Sequence, residues 1–196
     1  MIHSTFALVL RSGQLVDFAR PDVTLVEDDL VHGLSRSRRY AGVVDITVLE
    51  HLALCVKLAE IMFPGNRAVA AYVAAHDLHE TYFPDIPSPL KKLIPQYKTM
   101  EAAWEAHVHR QLGLSWPLDA PVQGRVHEID FRAPAIEPSV WGHPHGDHYA
   151  HHHGGPPSRH ELEIAEAVRW ATPEENWSLV TSVISDYLRR DPFKVY

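Results

Sequence analysis

His76 and Asp77 follow a stretch of nine residues, 67–75, in which Ala and Val dominate. An imidazole and a carboxylate side by side on a buried helix lose hydration that something must replace. A divalent cation would replace it, and nitrogen with carboxylate oxygen suits borderline and hard ions such as Zn, Mn, Co or Fe. Two adjacent ligands cannot complete a coordination sphere, so other segments must contribute. His51 lies on the inner side of the preceding helical stripe, three residues after Val48 and one before Leu52. Asp130 shares a stripe with Val122, Val126 and Ile129. A bundle can bring these four to one point. Taken singly, each has a plainer reading: a histidine on an apolar face is most often a satisfied core residue, and an aspartate late in a helix is usually solvated. The ordered set, with His, His-Asp and Asp each on its own helix, is what points to a metal.

In order and approximate spacing, His51 … His76-Asp77 … Asp130 resembles the H…HD…D ligands of the HD-domain phosphohydrolases. The resemblance is closer to the small single-domain branch of bacterial 5′-deoxynucleotidases and phage deoxynucleotide hydrolases. Ser37-Arg38-Arg39-Tyr40-Ala41-Gly42 resembles the arginine–aromatic element of that branch, and Glu50-His51 its EH pair. His76-Asp77-Leu78-His79-Glu80 resembles HDxxE, and Asp85-Ile86-Pro87-Ser88-Pro89-Leu90-Lys91 resembles D-[LI]-P-[TS]-P-x-K. The match runs from about Leu34 to Asp130, half of the chain. It implies a mainly α HD-domain bundle holding one divalent metal ion (Zn, Mn, Co or Mg) through His51, His76, Asp77 and Asp130.

The remaining motif residues suit hydrolysis of a phosphate ester. Glu80 stands four residues after His76, the spacing that shares a helix face. With Asp77 it is the candidate catalytic residue, exchanging a proton with water or the leaving oxygen; its plainer role is an ion pair with a surface lysine. Arg39 can grip phosphate in a bidentate fork. Arg36 and Arg38 compete for that role, and the family position favours Arg39. Lys91 follows a rigid Pro-x-Pro loop and suits a polyphosphate, with Lys92 as the adjacent alternative. The resemblance implies that Asp85 reads a sugar hydroxyl and that the aromatic after the arginine, here Tyr40, helps exclude a 2′-hydroxyl. Relatives can carry Trp or Phe there, so discrimination against ribose stays open.

The expected reaction is attack by metal-activated water at the α-phosphorus of a small-molecule (deoxy)nucleotide. A monophosphate would give nucleoside plus phosphate, and a triphosphate, such as the dATP taken by phage members, nucleoside plus triphosphate. The residues do not separate the two, although Lys92 slightly favours the longer tail. The rival expectation is a non-catalytic nucleotide sensor or metal-holding module on an HD scaffold; Glu80 beside an intact ligand set argues against it.

These side chains need helices to carry them. Residues 6–10 and 14–18 flank Arg11-Ser12-Gly13 and read as a β-hairpin, which cannot stand without helices to lean on. Helices are expected at 27–34, 47–63, 67–81, about 97–112, 121–132, 158–170 and 173–190. Pro64-Gly65-Asn66 stops the second of these, and Ser158 with Glu161 has capping-box spacing. Residues 83–89 read as a proline-rich loop and 133–157 as one long loop rich in Pro, Gly and His. Six of the 15 histidines fall between His143 and His153. That tract has three readings: an idle surface loop, a recruiter of transition metals, or a lid over the site.

The chain has 196 residues, 45% hydrophobic and 22% charged, enough to exclude disorder over its whole length and to expect one domain over 1–196. Its single cysteine, Cys55, excludes an intrachain disulfide. A net charge of −7 disfavours a stable nucleic-acid partner. The first residues lack a signal-peptide pattern and no run is apolar enough for a membrane span, so a cytoplasmic location is expected, in a bacterial cell or phage-infected host. Apolar helix faces leave room for a homo-oligomer.

Overall fold

In the computed structural model, which describes residues 7–193, an antiparallel hairpin leads into a helical bundle. Strands β1 (Ala7–Val9) and β2 (Leu15–Asp17) pair with Leu8 opposite Val16. Gly13, at φ 87°, supplies the left-handed turn that lets the Leu10 amide reach the Gln14 carbonyl. Phe6, expected in the first strand, lies outside the described residues. The hairpin leans on helices as a two-stranded sheet must. Val16 is fully buried, the Ser12 amide donates to Asp29 at 2.8 Å, and the Trp104 indole donates to the Phe18 carbonyl at 2.9 Å.

Among the described residues nine α-helices follow: α1 (Glu27–Leu34), α2 (Val48–Met62), α3 (Arg67–Ala75), α4 (Ser88–Lys91), α5 (Pro95–Leu112), α6 (Ala120–Val140), α7 (Gly146–His152), α8 (Arg159–Trp170) and α9 (Pro173–Leu188). Tyr40–Gly42 and Leu78–Thr81 form 3₁₀ turns. None of these helices is long and apolar enough to cross a membrane. Helix α2 is the central element. It packs against α3, α6, α8 and α9, and its residues from Val48 to Val56 are all buried except the half-buried Glu50. Thr47 starts it with a capping box, its hydroxyl accepting from the Glu50 amide while the Glu50 carboxylate accepts from the Thr47 amide. The expected capping box of α8, Ser158 with Glu161, is present, and Thr172 with Glu175 repeats it on α9.

Two expectations are corrected. The helix expected over 67–81 ends at Ala75. The His76 ring donates from Nδ1 to the Val73 carbonyl at 2.6 Å, claiming the acceptor that the Asp77 amide would use in a continued α-helix. Asp77 then leaves helical geometry at φ −109°, ψ 11°, and the chain tightens into the 3₁₀ turn. His76 and Glu80 therefore do not share an α-helical face. The long loop expected over 133–157 is mostly helix: α6 runs on to Val140 and α7 fills 146–152. Pro134 and Pro138 each remove a rung from α6. Packing outweighs that loss, because Ala133, Ala135, Ile136, Pro138 and Val140 are all buried, with α6 set against α2, α3, α7 and α8.

Arg132 fastens the α7–α8 connection to α6. Its guanidinium meets Glu161 through Nε at 2.7 Å and Nη2 at 2.9 Å, and donates to the carbonyls of His153, Gly155 and Pro156. The Arg132 fork, helped by the cap donors of Ser158, holds the Glu161 carboxyl down to about 2. A carboxylate depressed in the folded state adds stability that is complete above its unfolded value, about 4.3. That stability is lost as pH falls toward the folded value. Glu161→Gln is thus expected to lower the melting temperature at pH 7 and to close the gap to wild type between about pH 5 and 2. Thermal denaturation across that range checks this; a gap of constant size would show that the ion pair contributes nothing.

Candidate metal centre

Three helical segments deliver the four expected ligands to one point. Helix α2 brings His51, the end of α3 brings His76 and Asp77, and the middle of α6 brings Asp130. His51 Nε2 stands 3.2 Å from His76 Nε2, 3.5 Å from Asp77 Oδ2 and 3.3 Å from Asp130 Oδ1. His76 Nε2 stands 3.3 Å from Asp77 Oδ2 and 3.8 Å from Asp130 Oδ1. Ligands about 2.0–2.2 Å from a tetrahedral ion are separated by roughly 3.3–3.6 Å. These donors, 3.2–3.8 Å apart, lie close to that spacing.

The ring orientations fit a cation as well. His76 gives its Nδ1 proton to the Val73 carbonyl, and His51 gives its Nδ1 proton to Glu137 Oε1 at 2.5 Å. Each Nε2 then faces the other, with two carboxylate oxygens alongside. Positive charge between them is the stable solution. Burial alone would push the His76 imidazolium down, yet Asp77 and Asp130 hold it well above the ordinary histidine value. Burial and Arg39 oppose charge on His51, and Glu137 and Asp130 are among the groups that outweigh them. Against the cost of burial, the two histidines keep the Asp77 and Asp130 carboxyls well below the usual range. Asp77, Asp130 and Glu137 contribute three negative charges and Arg39 one positive. Two imidazolium charges bring that cluster to balance, and one divalent ion would carry the same charge in their place.

Cys55 offers a second donor set, since its sulfur, His51 and His76 are also close enough together to hold an ion. The sulfur is 3.7 Å from His51 Nδ1 and 3.6 Å from Nε2, one helical turn away on α2. Near-equal distances to both nitrogens place it against the ring rather than in line with the Nε2 lone pair. The carboxylates are the better third and fourth donors.

Glu137 is the residue that sequence reasoning missed. It is fully buried and accepts from the Tyr40 hydroxyl as well as from His51, with Arg39 Nε 3.5 Å away. Burial opposes its charge, but Arg39 and His51 bring its carboxyl down to about 2. It follows Asp130 by seven residues, two helical turns, which returns it to the same face. The prolines on either side hid that periodicity.

The other expected site residues divide. Arg39 reaches the centre, its Nη1 3.4 Å from Asp77, whereas Arg38 pairs with exposed Asp45 and Arg36 reaches a carbonyl of α1. A cleft of about 460 Å³ opens beside His76, Asp77 and Asp130 and continues past Lys91, Glu105 and Trp116. Arg39, Tyr40, Glu80 and Asp85 do not line it. Tyr40 is turned toward Glu137, not toward a sugar. Lys91 is held by Asp85 at 2.5 Å and by Glu101, so Asp85 is engaged with the lysine. Exposed Lys92 takes no part in the cleft. Glu80 is buried, and that burial, with Asp77 and Asp85 nearby, raises its pKa well above the usual carboxyl value.

No protein-family model matches the chain. It is similar to the "Uncharacterized protein YfdR" of Escherichia coli (strain K12), 36% identical over 101 residues, which cover 50% of this chain and 53% of that protein. The chain thus matches about half the length of that relative.

Titration with Co(II), Zn or Mn is expected to show one buried site. Ion at a hundred times its Kd should add about 2.7 kcal/mol to folding stability. Asp130→Asn should weaken binding by about tenfold or more, while Cys55→Ser keeps wild-type affinity. The reverse pattern would move the site to His51, Cys55 and His76.

Proposed function

We propose that this chain is a metal-dependent phosphohydrolase of the HD-domain kind that cleaves the phosphate ester of nucleotides, deoxynucleotides foremost. The observation that supports this most is the convergence of His51, His76, Asp77 and Asp130 beside a cleft whose size suits a small molecule. A divalent ion bound there supplies Lewis acidity toward water and toward a phosphoryl oxygen. His51, His76, Asp77 and Asp130 hold it. Arg39, already within 3.4 Å of Asp77, places its fork where a phosphoryl oxygen at the centre comes within reach. Glu80, whose pKa is raised by burial and by Asp77 and Asp85, is the candidate acid toward the departing 5′-oxygen. Lys91 lies farther along the cleft, where phosphate has to compete with Asp85 and Glu101 for the ammonium. A soluble nucleotide as substrate fits a cytoplasmic enzyme.

The reading is tested by nucleoside and phosphate release from dNMPs and dNTPs with Mn, Co, Zn or Mg, resolved by chromatography so that tripolyphosphate is seen. Asp77→Ala is expected to abolish turnover. Glu80→Gln is expected to lower kcat by about a hundredfold or more with little change in KM. If wild type binds metal and nucleotide and neither it nor the variant releases product, the chain is a nucleotide sensor instead.

A further inference from the structure

The histidine-rich segment was open to three readings from sequence, and the structure offers a fourth through its one tyrosine. Helix α7 lies directly on the C-terminal half of α6. Two small residues allow that approach: Ala150 is buried, and a Cβ at Gly146 would stand 2.9 Å from Ser139 Oγ and 3.4 Å from the Ser139 backbone. Seated so closely, α7 brings Tyr149 edge-to-face onto Tyr40, with ring centroids 5.4 Å apart at 84°. The Tyr40 hydroxyl donates to Glu137 Oε2, and Glu137 Oε1 accepts the His51 Nδ1 proton.

The backbone at Tyr40 shows that this placement is enforced. Tyr40, Ala41 and Gly42 have φ of 54°, 51° and 79°, three left-handed residues in succession. For Tyr and Ala that conformation is costly and persists only where surrounding contacts compel it. The contacts available to Tyr40 are its hydroxyl on Glu137, its ring on Tyr149 and the Arg39 guanidinium 5.6 Å from the ring centroid.

We infer that α7 is a buttress of the metal centre, acting through the chain Tyr149–Tyr40–Glu137–His51, with Tyr40 and Glu137 as positioning residues for His51. Its histidines are not what the centre needs from it. His148 and His152 are exposed and meet each other edge-to-face, while His143 and His148 meet the Tyr149 ring at centroid distances of 5.4 and 6.0 Å. The inference deepens the proposed centre and rests on that reading only for its metal measurement.

Two measurements test it. In the metal-free protein the His51 Nδ1 proton, sheltered and bound to a carboxylate, should give a deshielded ¹H resonance that exchanges slowly with water. Tyr149→Ala is expected to broaden that signal by exchange and to weaken Co(II) binding by about tenfold, the lower end of what an outer partner of a ligand is worth. Tyr149→Phe, which keeps the ring contact, should match wild type in both. Replacing His145, His151 and His152 together by Ala, which spares the two histidines on the Tyr149 ring, should leave both unchanged. Glu137→Gln should retain the hydrogen bond with a shifted resonance and weaker binding, and Glu137→Ala should lose the signal altogether. If Tyr149→Ala is indistinguishable from wild type, the buttress does not exist. If the histidine variant weakens the centre as much as Tyr149→Ala does, recruitment of metal by the tract replaces it. If wild type binds no metal, the metal reading fails while the proton signal still decides whether Tyr149 acts on His51.

Discussion

A histidine beyond the reach of water, hydrogen-bonded to a carboxylate equally beyond it, is the constraint on which this molecule is organised. His51 and Glu137 are both fully buried, 86 residues apart in sequence. Burying either alone would be prohibitive, and burying the two together is tolerable only if every remaining polar atom finds a partner. Tyr40 donates to the other carboxylate oxygen with the Arg39 charge 3.5 Å from it, and His76, Asp77 and Asp130 face the other imidazole nitrogen. The pair therefore requires α2 and α6 at one separation and one rotation. It also requires α6 to persist through two prolines to deliver Glu137.

The same constraint explains why the loop before α2 is costly in conformation. Arg39 must hand its guanidinium to three carboxylates while the next residue turns its hydroxyl under them. The Arg39 amide is tied to the Ile46 carbonyl at 3.1 Å and the Val48 amide to the Ser37 carbonyl at 2.9 Å, so the loop is closed onto the first turn of α2. Between those two ties the chain satisfies the turn only by running left-handed over residues 40–42. Glu50 joins the scheme from the other side. It caps α2 through Thr47 and also accepts from the Trp141 indole at 3.1 Å, which fixes the end of α6 against the start of α2. The residue before the first ligand thus sets helix register, and register sets where His51 points.

Much of this was legible in the sequence, for physical reasons. Apolar stripes at helical spacing located α1, α2, α5, α8 and α9, because burial of a face is the main determinant of a helix in a globular chain. The Ser158 cap was legible because a short side chain and a glutamate three residues on have one common arrangement. The convergence of His51, His76, Asp77 and Asp130 was legible because polar residues on apolar faces demand an explanation. What was hidden depended on long-range packing. Pro134 and Pro138 argued locally for a loop, and only the burial of their neighbours outweighs the lost rungs. The end of α3 was hidden because one side-chain hydrogen bond, from His76 to Val73, decides it. Tyr40 and Lys91 were assigned to substrate by position in a motif, and motif position does not reveal that their polar ends already have protein partners.

The cleft carries a tension that bears on how such a centre would work. Asp77, Asp130, Glu101 and Glu105 line it against the single ammonium of Lys91. Burial, with Asp77 nearby, raises Glu105 to about 7, so that part of the wall is only partly charged near neutral pH. The rest repels an anion. A phosphate group could approach Asp77 and Asp130 only where positive charge stands between them, and His51 and His76 already commit theirs to those two carboxylates. On the proposed reading, ion and nucleotide are then coupled ligands. Whatever free energy the ion contributes to holding phosphate, phosphate returns to holding the ion, since binding linkage is reciprocal. A centre built this way needs no tight affinity for its ion in isolation, which is consistent with a ligand set that mixes two imidazoles with two carboxylates and carries no thiolate.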